Sequence, residues 1–301
     1  MRESDKMSAA KSIGLDILPH DLFSGKTVFV TGGGSGINLG IARTFAELGA
    51  NIGVCGRSQE RLDAAAAGLR EFGAKVSATS ADVRVPEQLQ SAMNASRDVL
   101  GDIDILVCGA AGNFLVQGEN LSFNGFRSVI EIDLVGSFNA SRIAFEQLKR
   151  TRGSIIFITA PMAHMAHAYQ AHVGPAKAGV EMLMKNLALE WGPYGIRSNS
   201  IIPGFIEDTE GMRRISSEAD SRNFIQSIPL RRLGMTQEIG QAAAFLSSPL
   251  AAYITGTSLW VDPQRELICA LLTNRVFFGR FATQIEGFRR QFCNALIDLA
   301  N

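Results

Sequence analysis

Short apolar runs alternate along the chain with longer segments whose apolar residues recur every three or four positions. The short runs lie at 27–31, 52–55, 76–80, 105–108, 154–159, 197–202 and 258–261, and most are rich in Val and Ile. Runs of this kind, bounded by Gly, Asn, Asp and Ser, predict buried strands. The periodic segments lie at 37–48, 59–72, 86–100, 123–149, 176–191 and 237–246, and they predict helices with an apolar face. Strands that alternate with helices form a parallel sheet covered on both faces, with right-handed crossovers. The pattern therefore predicts an α/β chain built on a doubly wound, parallel, seven-stranded sheet. Its ligand belongs at the carboxyl edge of the strands, where the strand order reverses.

No repeat or linker interrupts residues 25–262, which are expected to form one domain. A polar arm precedes it at 1–24 and an extension follows at 263–301. In the extension Phe277, Phe281, Ile285, Phe288, Phe292, Leu296 and Leu299 recur at helical spacing, with arginines beside them. Such an amphipathic helix packs on its own or a partner subunit, or lies on a membrane surface; packing is the commoner outcome. Residues 207–228 are polar, helix-capable and inserted near the strand edge. They form either a substrate lid or a plain surface excursion.

Chemistry gathers first at 27–40, TVFVTGGGSGINLG. A buried strand runs into glycines at Gly32, Gly33, Gly34 and Gly36 and then into an amphipathic helix. Glycines let the backbone approach a pyrophosphate, and the first amides of the helix with its dipole favour negative charge. Gly32, Ser35, Gly36 and Ile37 are therefore expected to cradle a dinucleotide, in a Rossmann-type fold.

Composition narrows the field. Lys+Arg and Asp+Glu are both 29 in 301 residues, so nothing points to nucleic acid. Four scattered cysteines, Cys55, Cys108, Cys269 and Cys293, form no CxxC pair and read as free thiols in a reducing compartment. The N-terminal MRESDKMSAAKSIG has no apolar core of a secretory signal, and no apolar run is long enough for a bilayer. The last residues, Leu-Ala-Asn, are not of the Ser-Lys-Leu type, so a cytoplasmic location is expected. His164, His167 and His172 fall close together, but no carboxylate completes a metal motif, and no metal is expected.

Five motifs in order resemble the short-chain dehydrogenase/reductase family over roughly residues 22–262. They are TGGGSGIN, Asp82-Val83, CGAAG at 108–112, Lys177 and YGIRSNSIIPG at 194–204. The resemblance implies a nicotinamide dinucleotide with its adenine flanked by Asp82 and Val83. It also implies a ribose supported by Ala110, Ala111 and Gly112, and a nicotinamide bordered by Pro203, Gly204 and Ile206. After the second strand stands Arg57, with no acidic residue beside it. An arginine there can pair with a 2′-phosphate, so NADPH is expected over NADH.

Three positions depart from the family. Asn38 replaces the last loop glycine, and its side chain needs room that the cofactor would otherwise share. Asp262 is followed by Pro263-Gln264 where the family has two glycines. Val173 stands in place of the catalytic tyrosine, four residues before Lys177, and only Thr159 offers a hydroxyl near the family's serine. A valine cannot protonate a carbonyl oxygen. One subgroup that also lacks the tyrosine is similar along GAAGNFL, SFN, IDLVGSFNASR and VGPAKAGVEMLMKNLALEWGPYGIR. It comprises the 2,4-dienoyl-CoA reductases of the peroxisomal kind.

The resemblance to that subgroup implies that Asp133 and Lys177 hold a water which protonates carbon, with an acyl-CoA as substrate. Asn113, Phe114 and Phe123 are candidate walls of the acyl pocket. His172, beside Val173, is a candidate proton donor or substrate contact. A carbonyl reductase using His172 or Tyr169, and a silent dinucleotide-binding protein, are the other readings. The long helices at 123–149 and 176–191 have apolar residues on more than one face, and a homotetramer is expected.

Overall fold

The computed structural model describes residues 18–207, 225–226 and 228–263. All but Pro263 belong to the unit Met1–Asp262. The insertion at 207–228 lies almost wholly outside the described residues, as does the amphipathic extension beyond Pro263.

Seven parallel strands form one sheet in the order β3-β2-β1-β4-β5-β6-β7. They are β1 (Thr27–Thr31), β2 (Asn51–Gly56), β3 (Val76–Ser80), β4 (Ile105–Cys108), β5 (Ser154–Ile158), β6 (Arg197–Pro203) and β7 (Ser258–Val261). The expected doubly wound, Rossmann-type sheet is therefore present. Successive side chains of a strand point to opposite faces. Val28 and Val30 accordingly join one apolar layer and Phe29 the other. The first layer is covered by α1 (Gly36–Glu47), α2 (Gln59–Arg70) and α7 (Thr236–Ser247). The second is covered by α3 (Pro86–Leu100), α5 (Gly136–Thr151) and α6 (Val173–Trp191).

Three departures from the sequence pattern have physical causes. The end of the polar arm is not separate from the core: Phe23 is buried with its ring 5.0 Å from that of Phe45, and its amide donates to Leu48 O. The segment at 123–149 is not one continuous α-helix. Helix α4 (Phe123–Ile130) passes through a π turn, Glu131–Val135, into α5. A π turn takes one more residue than an α turn, so it resets which side chains face inward, and it often marks a functional site. Here it carries Asp133, which is 1% exposed. Helix α6 starts at Val173, before the expected position, because Pro175 falls in its first turn, where a missing N–H costs nothing.

Cys55 and Cys108 are free and buried, and burial pushes both thiols up to about 12. Protonated thiols of this kind are inert. Among the described residues no helix is long and apolar enough to cross a membrane.

Candidate active site

The sheet order reverses between β1 and β4, and the crevice beyond their carboxyl ends is where a parallel sheet takes its ligand. Thr31 holds the two strand ends together: its hydroxyl oxygen accepts from Gly109 N (3.1 Å) and Ala110 N (3.2 Å). Gly32 has φ +72°, and a Cβ there would stand 3.0 Å from Ala110 Cα, so both conformation and space require glycine. Asn38 lies inside α1 and needs no unusual backbone angle. Its amide donates to Gly109 O (2.8 Å) and Gly32 O (3.4 Å), fastening the glycine loop to the end of β4.

A cavity of about 380 Å³ opens at this point. Gly32, Gly34, Ser35 and Asn38 line one side, and Gly109, Ala110 and Ala111 line another. Arg57, Ser58 and Arg61 project at its far end, with Asp82 and Val83 beside them. Arg84 pairs with Asp82 and holds its carboxyl below the usual carboxylate range. Val83 is buried against α5, where a Cβ on Gly136 would stand 2.6 Å from it, and Asn139 Nδ2 donates to Val83 O. The glycine cradle and the two arginines fit a phosphorylated dinucleotide.

The other end of the crevice is built by α6 and the π turn. Lys177 Nζ lies 3.1 Å from Asp133 Oδ2 and donates to Ile158 O at 3.0 Å. Asp133 Oδ1 accepts from Gly112 N at 2.7 Å. Both charged side chains are buried, so each is tolerable only because the other is present. Val173 packs with Val129, Ile130 and Ala176 and presents no polar atom. Thr159 is turned away from this pair, and its hydroxyl donates to Glu181 Oε1 at 2.6 Å. Glu181 also accepts from Ser200 and Ser258, which ties β5, β6 and β7 beneath α6.

Of the residues expected at the site, Gly32, Ser35, Arg57, Asp82, Val83, Ala110 and Ala111 line the cavity. Gly36, Ile37, Gly112 and Lys177 adjoin it along the chain or through Asp133, without lining it. Pro203 ends β6, and Gly204 packs on Asp262, where a Cβ would stand 2.7 Å from its carboxyl carbon. Ile206 is buried in the core and bridges to Gly234, so its side chain is no cavity wall. Phe114 lies against His172, their ring centroids 4.3 Å apart, while Asn113 is exposed beside it. Phe123 is 92% exposed at the start of α4. Sequence reasoning passed over Arg61 and Glu181. Glu181 stands one helical turn after Lys177 on α6, a spacing that would have found it, whereas Arg61 lies in the first turn of α2, just beyond the loop that holds Arg57.

The fold, the switch-point cavity and the buried acid–lysine pair define a nicotinamide-dinucleotide oxidoreductase. A family model described as enoyl-(acyl carrier protein) reductase matches residues 32–263. The chain is 43% identical over 246 residues to the peroxisomal 2,4-dienoyl-CoA reductase of Saccharomyces cerevisiae, covering 80% of this chain and 84% of that one. It is 42% identical over 245 residues to the protein of the same description from Rattus norvegicus, with the same coverage. A crystal structure of a short chain dehydrogenase from Bacillus anthracis superposes with a TM-score of 0.73 at 38% identity, covering 80% of this chain and 96% of that one. The chain belongs to the short-chain dehydrogenase/reductase family.

His172 gives a pH signature. Burial pushes its imidazole below the usual value of 6.5, and the Phe114 backbone and the Asp133 charge only partly offset this. The folded protein therefore binds that proton less readily than the unfolded chain does. The corresponding stability is complete above pH 6.5 and is lost as pH falls below it. We expect His172→Phe to lose less stability than wild type between pH 7 and about pH 5, by urea denaturation. Equal losses in the two proteins would contradict this account.

Proposed function

We propose that the protein is an NADPH-dependent 2,4-dienoyl-CoA reductase that converts its substrate to a 3-enoyl-CoA. The observation that carries this reading is the buried Asp133–Lys177 pair beside a valine at the tyrosine position. The relatives described as (3E)-enoyl-CoA-producing support it. When bound, the reduced nicotinamide supplies the hydride that the terminal carbon of the diene accepts. Negative charge then moves through the conjugated chain to the thioester oxygen. The product forms when the α-carbon, not an oxygen, receives a proton.

The roles we assign follow from that requirement. Gly32, Ser35, Gly36 and Ile37 hold the pyrophosphate, and Asp82 and Val83 flank the adenine. Arg57, with Ser58 and Arg61, holds the 2′-phosphate. Ala110, Ala111 and Gly112 support the ribose, Lys177 binds the ribose hydroxyls, and Pro203 and Gly204 border the nicotinamide. Asp133 and Lys177 hold a water against the α-carbon. Its O–H bond breaks as the C–H bond forms, and the hydroxide is reprotonated from solvent. Lys177 offsets the charge that Asp133 and the hydroxide place in a buried site.

Asp133 also anchors Gly112, so two substitutions separate the tasks. Asp133→Asn keeps an acceptor for Gly112 N but removes the charge. We expect it to lower turnover by about 10²-fold or more, the usual size of an acid–base contribution, with little change in NADPH binding. Asp133→Ala should lose both. Val173→Tyr should not raise dienoyl-CoA turnover, because the proton is needed at carbon. Steady-state kinetics decide: wild-type turnover in Asp133→Asn, or a large gain in Val173→Tyr, would show the mechanism to be wrong.

Arg57 and Arg61 motivate the choice of cofactor. Wild type should use NADPH with the higher kcat/KM, and Arg57→Ala should narrow the difference. Equal use of NADH and NADPH by wild type would refute the preference.

We also propose a homotetramer. Phe138 on α5 and Met182 and Leu189 on α6 are exposed apolar side chains on the two long helices. A partner subunit seated on these two helices would cover all three. Light scattering at micromolar concentration should give about four times the chain mass, and a monomer would rule the assembly out.

A further inference from the structure

His172 is fully buried; the Phe114 backbone approaches its ring, but neither ring nitrogen makes a hydrogen bond of good geometry. Two residues earlier, Gln170 Oε1 is also buried and unpartnered. Unpaired polar atoms in an interior are costly, and in native proteins they mark strain or function. His172 stands at the start of α6, immediately before Val173, where its imidazole makes no capping bond, and Asp133 is near enough for its charge to act on it. The ring that covers it is Phe114, at 4.3 Å and tilted by 56°. Phe114 is itself 37% exposed, so it is the outer wall of this spot. Its far edge rests against α4, where a Cβ on Gly125 would stand 3.0 Å from Phe114 Cζ. Glycine at 125 lets the ring edge lie this close to α4.

We propose that His172 is a catalytic residue whose ring N–H donates to the thioester oxygen of the bound acyl-CoA, the ligand turning Phe114 aside to reach it. This rests on the dienoyl-CoA reading above. Hydride addition at the far end of the diene places negative charge on that oxygen, and a fixed donor in a water-poor site stabilises it. Val173 supplies no donor. Lys177 is engaged by Asp133 and Ile158 O and, in the proposed reaction, by the ribose and the water, and the Gly112 amide is engaged by Asp133. His172 brings to this neighbourhood a ring N–H that no side chain engages. Under Phe114 it is kept dry until substrate arrives.

The test uses the full chain, NADPH and 2,4-hexadienoyl-CoA. His172→Phe keeps a ring under Phe114 and removes the donor; His172→Asn restores an N–H. His172→Phe should lower kcat by about 10²–10³-fold, the cost of losing one oxyanion donor. NADPH affinity should be unchanged and the denaturation midpoint equal or higher, since two unpaired polar atoms leave the core. His172→Asn should recover about tenfold or more of that loss. Wild-type kcat in His172→Phe overturns the proposal. So does a loss of kcat that comes with weakened NADPH binding and a lowered midpoint, which marks a structural role.

If wild type does not turn over dienoyl-CoA, the substrate reading fails, and calorimetry then tests the contact alone. Wild type should bind hexanoyl-CoA more tightly than the thioether hexyl-CoA, which lacks the oxygen, and His172→Phe should bind the two alike. No preference in wild type, or the same preference in His172→Phe, overturns the proposal.

Discussion

The site depends on one buried ion pair. Lys177 and Asp133 come from α6 and from the π turn, and each is too buried to remain charged alone. Each also reaches the backbone: Asp133 takes Gly112 N from the loop after β4, and Lys177 gives to Ile158 O at the end of β5. Four segments are thus registered against each other by two side chains. Disturbing either residue shifts the loop proposed to support the cofactor as well as the proposed proton path.

The arrangement extends outward in shells of decreasing polarity. Glu181, one turn after Lys177 on the same helix, gathers hydroxyls from Thr159, Ser200 and Ser258. That carboxylate ties the carboxyl end of β5 to the middle of β6 and the start of β7. On the other side of the sheet's reversal, Thr31 and Asn38 perform the equivalent task for β1 and β4 with neutral groups. The charged half faces the reacting carbon in the proposed reaction. The neutral half, in that reading, faces phosphates, where extra carboxylates would repel the ligand.

Much of this was legible in the sequence because it follows from periodicity and spacing. Seven strands were found at their places, since short apolar runs bounded by turn residues stand apart from the longer periodic segments between them. The glycine loop was legible because a strand, glycines and a helix in succession leave little choice of chemistry. The π turn was not legible, because one extra residue in a helix leaves the apolar pattern nearly intact on both sides. Asn38 was read as an obstacle to the cofactor, whereas its side chain bridges two carbonyls; a single residue letter does not tell which neighbours the fold will bring. Thr159 looked like the remaining catalytic hydroxyl, but Glu181 engages it, a tertiary contact no local pattern announces. The insertion and the extension fall outside the described residues, so their expected roles as lid and packing helix stand apart from the geometry.

The absent tyrosine is best understood through where the proton must go. A ketone leaves its charge on oxygen at the carbon under attack, so a phenol beside that oxygen completes the reaction. A conjugated thioester carries the charge away through the chain and must end with a proton on carbon. A phenol fixed at the oxygen would stabilise the intermediate without finishing it. In the proposed reaction, valine at this position would remove a competing proton donor, and it joins Val129 and Ile130 in an apolar cluster. What the chemistry still needs is a carboxylate and a cation near carbon, and the π turn brings Asp133 to Lys177. On this reading the departure from the family pattern and the distorted helix are one adaptation, made at two places in the chain.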